Sequence, residues 1–517
     1  MIRVGIDVGG TNTDAVVMRG REVLYGLKTA TTADVMSGVV KALRDVIAGA
    51  DVAKTSIGAV MIGTTHFTNA LVERRRLATV GIIRLGLPAT RGLPPSSDWP
   101  EDMIAAVKLQ WRLAQGGYEY DGRNLGQMNP EEIRGYAREF AEAGLRDIAI
   151  SCVFSNLNDE QEVAAAALVR EVIPDARITL SSQIGRLGLL ERENAAILNA
   201  CLGPLGLEVI DAFRQALADS GIAAPFYLTQ NDGTLMAAEQ AARFPILTVA
   251  SGPTNSMRGA AFLSGLKDAI VIDIGGTTTD VGVLQAGFPR QAGVAVEVGG
   301  VRTNFRMPDV HSMGLGGGSR VSMDMKLLGP QSVGYAIHTE ALVFGGKTVT
   351  ATDIAVAVGA ATLGDPRKVA HLNADGVRHC YERLEKMVYG AVERMRTSAD
   401  VLPVIVVGGG SILLRDRLND MPITIPPHFG CANAVGAAMA QVSGEVDRVV
   451  RLDDTPRDEA IAQARAAAEQ KAVEAGAKAD TLTVIDIEDV PLAYISGNAT
   501  RIRVRVVGDL DESGFAE

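Results

Sequence analysis

Cysteine is scarce in this sequence and never clustered: Cys152, Cys201, Cys380 and Cys431 form no C-x-x-C pair and no spacing typical of zinc sites or secreted scaffolds. They read as reduced cytosolic thiols that mostly fill the core. Long apolar runs are also missing, since no stretch approaches the run of about 18 that marks a membrane span. The amino terminus, MIRVGIDVGG, puts Asp7 where a signal peptide would be uninterruptedly apolar. Together these absences predict a soluble, cytoplasmic protein. Positive charge is not in excess either. Fifty Lys and Arg against 61 Asp and Glu give a net charge of −11, which opposes non-specific attraction to nucleic acid or anionic lipid. Apolar residues at 47% and charged residues at 21% are ordinary for a globular protein and exclude disordered and fibrous classes. A length of 517 residues excludes a single small binding module and favours roughly two to four domains.

Glycine, by contrast, is abundant: 56 residues beside 4% aromatics, with no collagen period. The chain therefore needs many tight turns or close backbone approaches, and the most informative lie in an internal repeat. Ile6-Asp7-Val8-Gly9-Gly10-Thr11-Asn12-Thr13-Asp14 returns 266 residues later as Ile272-Asp273-Ile274-Gly275-Gly276-Thr277-Thr278-Thr279-Asp280. Each copy lies between two apolar runs and reads as strand, Gly-Gly turn, strand: a hairpin built twice. Such a turn suits a nucleoside triphosphate. Without Cβ atoms the glycines let backbone N–H groups approach phosphate oxygens, and Thr11, Thr13, Thr277 and Thr279 add hydroxyl donors. Asp7 and Asp273, at the strand ends, are placed to hold Mg²⁺ through its waters or to orient an attacking group.

Two further glycine loops stand out. A buried-strand pattern at 403–407 ends in Gly408-Gly409-Gly410, where a flat ring can lie against bare backbone. The loop 314–319, with Gly316 and Gly317 at its centre, can approach phosphate or substrate. No G-x-x-x-x-G-K-[ST] occurs, so a P-loop is not supported, and no complete nicotinamide fingerprint follows the first strand. Elsewhere a strand at 147–154, a helix at 159–172 and a strand at 176–180 give the alternation of an α/β layer. Residues 84–100 read as an extended loop, and 193–202 and 432–441 as helices rich in small residues. A helix capped by Thr455, with Pro456 at its first position, runs to about Ala475; strands follow at 481–487, 492–495 and 501–507.

These residues carry a resemblance. Two copies of D-[VI]-G-G-T-x-T-D and a strand ending in three glycines resemble the phosphate and adenosine elements of the actin, sugar-kinase and heat-shock ATPase superfold, in which two similar domains close on ATP. More specifically, the chain resembles the A-type, ATP-binding subunit of the hydantoinase/oxoprolinase family. The matching segments are GIDVGGTNTDAV at 5–16, IGTTHFTNALVER at 62–74, RENAAILNACLGP at 192–204, LTQNDGTLM at 228–236, SGP at 251–253, DIGGTTTDV at 273–281, HSMGLGGGS at 311–319 and ANAVGAA at 432–438. The resemblance implies an α/β fold of two similar actin-like (ribonuclease H-like) lobes with an ATP cleft between them. It divides the chain into an N-terminal lobe at 1–190, an ATPase lobe at 191–450 and a small appended helix-and-strand unit at 451–517. The helix at 193–202 would cross between the lobes at the hinge, with 432–441 as its counterpart. Three features depart from the family pattern: large-subunit members carry a longer C-terminal region, Ser-Ser-Gln at 181–183 stands where relatives often place His-Glu, and Leu85-Gly-Leu-Pro replaces a more aromatic run.

The activity implied is that of an ATP-dependent hydrolase subunit. It would phosphorylate the oxygen of a cyclic amide such as a hydantoin, 5-oxoproline or a lactam, so that water can attack the activated carbon. ATP and Mg²⁺ would be required, a B-type subunit would often complete the ring opening, and the assembly would be a homo- or hetero-oligomer. Alternatives on the same fold are a small-molecule kinase, a ketone-carboxylase-type phosphorylating subunit and an ATPase regulator of a partner protein. Asp7 and Asp273 would serve Mg²⁺ or act as base; Gly9, Gly10, Thr11, Thr13, Gly275, Gly276, Thr277 and Thr279 would face phosphates, and Gly408, Gly409 and Gly410 would flank adenine. Thr64, Thr65 and Asn69 either contact substrate or γ-phosphate or begin a Thr-capped helix. Asp14 and Asp280 either join the site or bind their own loops, and His311 and His66 are candidates for metal binding or proton transfer. His338, His371, His379 and His428 lack supporting neighbours and read as ordinary surface or core residues.

Overall fold

A computed structural model of the chain describes residues 2–9, 12–30, 35–120, 122–293, 296–398, 401–493 and 497–511. The repeated sequence forms the same unit twice. In the first lobe Ile2–Val8 and Asn12–Arg19 are an antiparallel hairpin, and Ile2–Val8 also pairs in parallel with Ile57–Thr64. In the second, Ala269–Ile274 and Thr279–Gln285 form the hairpin, and Ala269–Ile274 pairs in parallel with Val404–Val407. These central strands are almost continuously apolar because both of their faces are covered. The register is the same in both copies: Asp7 lies opposite Asp14, and Asp273 opposite Asp280.

The first sheet has nine strands and the second seven, among the described residues, and a four-stranded parallel sheet completes the first lobe. That four-stranded sheet runs Gln110–Gln115, Val80–Leu87, Asp147–Cys152, Arg177–Leu180. Its helices Pro130–Glu142 and Glu160–Val172 pack together; the first is capped by Asn129, whose side chain accepts from Glu131 N at 3.0 Å. The extended segment expected from residue 84 begins later, since Arg84 to Leu87 lie in the strand Val80–Leu87. All four cysteines are buried, and burial pushes their thiols up, Cys431 to about 11.

The helix read at 193–202 is part of Leu189–Asp219, 31 residues long with Pro204 inside it. By length and composition it is long and apolar enough to cross a membrane, yet it carries buried Arg192, Glu193, Asn194 and Asn199 and packs in the core of the first lobe. Glu193 pairs with the fully buried Arg84, whose Nε donates to it at 2.6 Å, and also accepts from Ser151. Arg192 donates to Cys152 O at 2.7 Å and to Ser181 Oγ at 3.0 Å, so Ser181 serves to anchor this helix.

The link between the two sheets, termed the hinge for its position, is built from other elements. Helix Ser251–Ser264 crosses Ala432–Ala438 with backbones in contact: a Cβ on Gly259 would lie 1.9 Å from Ala432 O, and one on Gly436 1.9 Å from Asn255 O. Ala434, Val435 and Ala438 pack on Val16 and Met18 of the first sheet, whereas Met257, Ala260 and Ala432 pack on Val271 and Val407 of the second. The partner of 432–438 is therefore 251–264, not 193–202.

The C-terminal helix-and-strand segment is present but hydrogen-bonded into the first sheet. Gln441–Arg451 pairs with Thr234–Ala237 on one side and with Ala499–Gly508 on the other, and Thr483–Pro491 forms the edge. Strands Phe226–Thr229 and Thr234–Ala237, from the segment assigned to the second lobe, also belong to the first sheet. The tail helix is Arg457–Glu474 with Pro456 at its N-cap, so Thr455 does not cap it. The strand expected at 492–495 ends before that segment, at Pro491; 494 and 495 lie outside the described residues.

Candidate functional site

The two hairpin turns face each other across a cleft of about 420 Å³ between the lobes. Asp7, Gly9, Asn12, Asp14, Lys28 and Thr65 line it from the first lobe, and Asp273, Gly275, Gly276, Thr277, Asp280 and Gly408–Gly410 from the second. A larger cavity of about 720 Å³ lies beside helix Ala374–Met395, but no residue of either turn lines it.

Both carboxylates are held by neutral donors. Asn255 Nδ2 donates to Asp7 Oδ1 at 2.9 Å, Asn433 Nδ2 to Asp7 Oδ2 at 3.3 Å, and the Ser256 hydroxyl to Asp273 Oδ2. Burial nevertheless pushes both carboxyls above their ordinary range, and for Asp273 the charge of Asp7 adds to it. Bare backbone closes the other side: a Cβ on Gly63 would lie 2.2 Å from Asp7 Oδ1, and one on Gly408, at φ +86°, 2.2 Å from Asp273 Oδ1.

Asp14 and Asp280 join the site because register puts them on the same face as Asp7 and Asp273. Burial raises each to about 6; Lys28 opposes this at Asp14, and the Ser312 hydroxyl opposes it at Asp280. The Lys28 ammonium sits 2.8–2.9 Å from the two Asp14 oxygens. Burial pulls Lys28 down, but Asp14, Asp273 and Asp7 together hold it above its ordinary value. Sequence reasoning missed Lys28, whose signal was its register opposite Asp14 on the third strand, Glu22–Ala30.

The phosphate assignments divide. Gly9 N donates to Asn12 O at 3.0 Å and Gly275 N to Thr278 O at 2.8 Å, so both amides close their own turns. Gly276 and Thr277 line the cleft, and among the described residues their N–H groups have no partner. Thr13 and Thr279 are fully buried and face the core, Thr279 Oγ1 donating to Leu315 O at 2.6 Å, so neither hydroxyl faces the cleft. Gly10 and Thr11 lie outside the described residues. Gly316 and Gly317 support the second turn, Gly317 N donating to Gly275 O at 3.0 Å; only Gly317 reaches the cleft.

Thr65 lines the cleft and donates to Val8 O at 3.2 Å; it begins helix His66–Glu73 without a side-chain cap bond. Thr64 is buried against His66, and Asn69 is exposed, its Nδ2 donating to Thr65 Oγ1 at 3.5 Å without itself lining the cleft. Burial pulls His66 down to about 4, leaving it a neutral ring packed edge-on against Phe213. His311 Nε2 lies 3.1 Å from an Arg394 guanidinium nitrogen, a cationic neighbour that opposes metal binding there. His338, set aside in the sequence, does reach the cleft. It lies 4.8 Å from the Phe344 ring and, with Ile337, Leu363 and Ile412, forms an apolar bay beside Gly408–Gly410.

The described residues contain no group of three or more His, Cys, Asp or Glu side chains able to hold a metal ion by themselves. Of the four cleft carboxylates Asp14 is paired with Lys28 and Asp280 with the Ser312 hydroxyl, which leaves Asp7 and Asp273 as hard oxygen ligands. That set fits a cation such as Mg²⁺, which keeps several waters and takes its remaining oxygens from phosphates.

The sequence matches the hydantoinase/oxoprolinase N-terminal region over residues 3–173 and the hydantoinase/oxoprolinase model over residues 192–387. The chain belongs to the hydantoinase/oxoprolinase family. It is 24% identical over 389 residues to caprolactamase subunit alpha of Pseudomonas jessenii, an alignment covering 69% of this chain and 54% of that one. It is also 24% identical over 392 residues to the acetophenone carboxylase gamma subunit of Aromatoleum aromaticum, covering 69% and 53%. The chain thus spans about half the length of these curated relatives. Its fold is shared with the crystal structure of ATP-dependent caprolactamase from Pseudomonas jessenii, at a TM-score of 0.76 and 18% identity, covering 98% of this chain and 88% of that one.

Proposed function

We propose that this chain is the ATP-dependent phosphorylating component of an enzyme that activates a cyclic amide, of hydantoin, 5-oxoproline or lactam type, for ring opening. The observation that carries the reading is the convergence of Asp7 and Asp273, from two copies of one turn, on a single cleft with Lys28 beside them. In this reading the bay of Ile337, His338, Phe344, Leu363 and Ile412 takes the adenine base against Gly408–Gly410, while the Gly276 and Thr277 amides and the Lys28 ammonium face the phosphates. Asp7 and Asp273 would hold Mg²⁺, which when bound would neutralise phosphate charge that these carboxylates otherwise repel. Phosphorylating an amide oxygen, with ADP as the leaving group, removes the resonance that protects the carbonyl carbon. Water then adds to that carbon, the C–N bond breaks as the nitrogen takes up a proton, and hydrolysis of the resulting acyl phosphate releases inorganic phosphate and the ring-opened carboxylate. Closure of the lobes keeps water from the phosphoryl group until the acceptor is in place.

The acetophenone carboxylase relative favours a second reading, transfer to the oxygen of a ketone-derived enolate. Both relatives are named as subunits, which supports an oligomeric assembly; a B-type partner and a cytoplasmic location belong to the same proposal. The test is Mg-ATP turnover with hydantoin, 5-oxoproline, caprolactam and, with bicarbonate, acetophenone, each assayed with and without the product of any adjacent gene. Stimulation by a cyclic amide is expected. Stimulation by the ketone alone selects the second reading, and ATP binding with no stimulation by any compound overturns both.

A further inference from the structure

Adjacent residues on one helix hold the two carboxylates. Asn255 Nδ2 bonds Asp7 of the first lobe and also Thr229 Oγ1 at 3.0 Å, whereas the Ser256 hydroxyl bonds Asp273 of the second. Neighbouring positions on a helix point about 100° apart, so one turn of Ser251–Ser264 can address both lobes. Both residues are 0% exposed, and the helix that carries them is fixed by its backbone contact with Ala432–Ala438 at the hinge.

We propose that Asn255 and Ser256 are positioning residues that fix the spacing and orientation of Asp7 and Asp273, so that two carboxylates carried on separate lobes act as one unit. This rests on the reading in which those carboxylates serve a nucleotide-bound divalent cation. A carboxylate turns readily about its last torsion, which has only broad minima, so its orientation depends on what contacts its oxygens. Among the described residues Ser256 is the one side chain that bonds Asp273, and the Gly408 backbone forms the wall opposite. Asp7 is held in the same manner between Gly63 and the two amides. An amide and a hydroxyl orient the carboxylates without contributing charge; a Lys or Arg in their place would compete with the cation. Packing alone does not explain Asn255, because its buried Oδ1 has no partner, and an apolar side chain would avoid leaving that oxygen unsatisfied.

The experiment compares Ser256→Ala, Ser256→Thr, Asn255→Ala and, as a control at the far end of the helix, Ser264→Ala. Readouts are steady-state ATP turnover, the electron paramagnetic resonance spectrum of Mn²⁺ bound with ADP, and thermal unfolding. Ser256→Ala and Asn255→Ala should lower kcat by about tenfold to a hundredfold, the loss typical of a hydrogen bond to a charged group, with KM for ATP changed by less than about twofold. Both should alter the Mn²⁺ spectrum, Ser256→Thr should restore rate and spectrum, and Ser264→Ala should match the wild type. Wild-type kcat and spectrum in both alanine variants would overturn the proposal. So would equal losses in Ser256→Ala and Ser256→Thr that follow a fall in Tm, since that outcome reports packing. If the wild-type chain itself binds no Mn²⁺–ADP, the nucleotide reading fails first and the positioning role falls with it.

Discussion

Asp7 and Asp273 sit where their charge is unfavourable to the fold: Asp7 is buried and Asp273 half-buried, desolvation raises both, and Asp7 adds like charge to Asp273. Removing one should therefore separate stability from activity. Asp273→Asn should hold or raise Tm while lowering ATP turnover by at least about a hundredfold, measured by thermal unfolding and a coupled ADP assay. Asp280 gives a pH test at the same scale. Its folded value of about 6 lies above the ordinary 3.8, so its favourable contribution is complete below about pH 4 and is lost as pH rises through 6. That loss amounts to at most about 3 kcal/mol. Asp280→Asn lacks it, so the variant's Tm advantage over wild type should widen between pH 4 and pH 7; a gap that stays constant would contradict the assignment.

At the scale of elements, the buried Arg84–Glu193 pair ties the strand Val80–Leu87 to helix Leu189–Asp219. Arg84→Met leaves Glu193 charged and unpaired in the core and should cost about 3–5 kcal/mol in chemical unfolding, whereas Arg84→Met with Glu193→Leu should recover much of it. The hairpins were legible in the sequence because a Gly-Gly turn between apolar runs is a local signal. Part of the site was legible for the same reason and misjudged within it. Ile274 points away from Asp273 along the strand, and Thr279 is its cross-strand partner, so Thr279 had to face the core; the same register placed Asp14 and Asp280 in the cleft. Lys28 and His338 depended on pairings and approaches beyond any local window, as did the choice of Ser251–Ser264 for the hinge. Gly436→Ala tests that hinge directly: its Cβ would meet Asn255 O at 1.9 Å, and the variant should lose ATP turnover together with stability.

Across the whole molecule, the cleft depends on both lobes, so a ligand that fills it binds the native chain and not the unfolded one. Mg-ADP at about a hundred times its Kd should add about 2.7 kcal/mol and raise Tm in proportion, and Asp273→Asn should blunt that shift. A rise in Tm with ADP alone, unaffected by Mg²⁺, would remove the cation from the account. That the segment after residue 450 joins the first sheet was not legible locally: it pairs with Gln441–Arg451, and that strand reaches the sheet only through Thr234–Ala237, about 200 positions earlier.

That pairing bears on how the chain is made. Until residues 441–451 emerge from the ribosome, the strand Thr234–Ala237 has its hydrogen-bonding edge open, and the edge that Gln441–Arg451 then presents waits for Ala499–Gly508. During translation the first lobe is therefore an unfinished sheet whose open edge is able to pair with other chains.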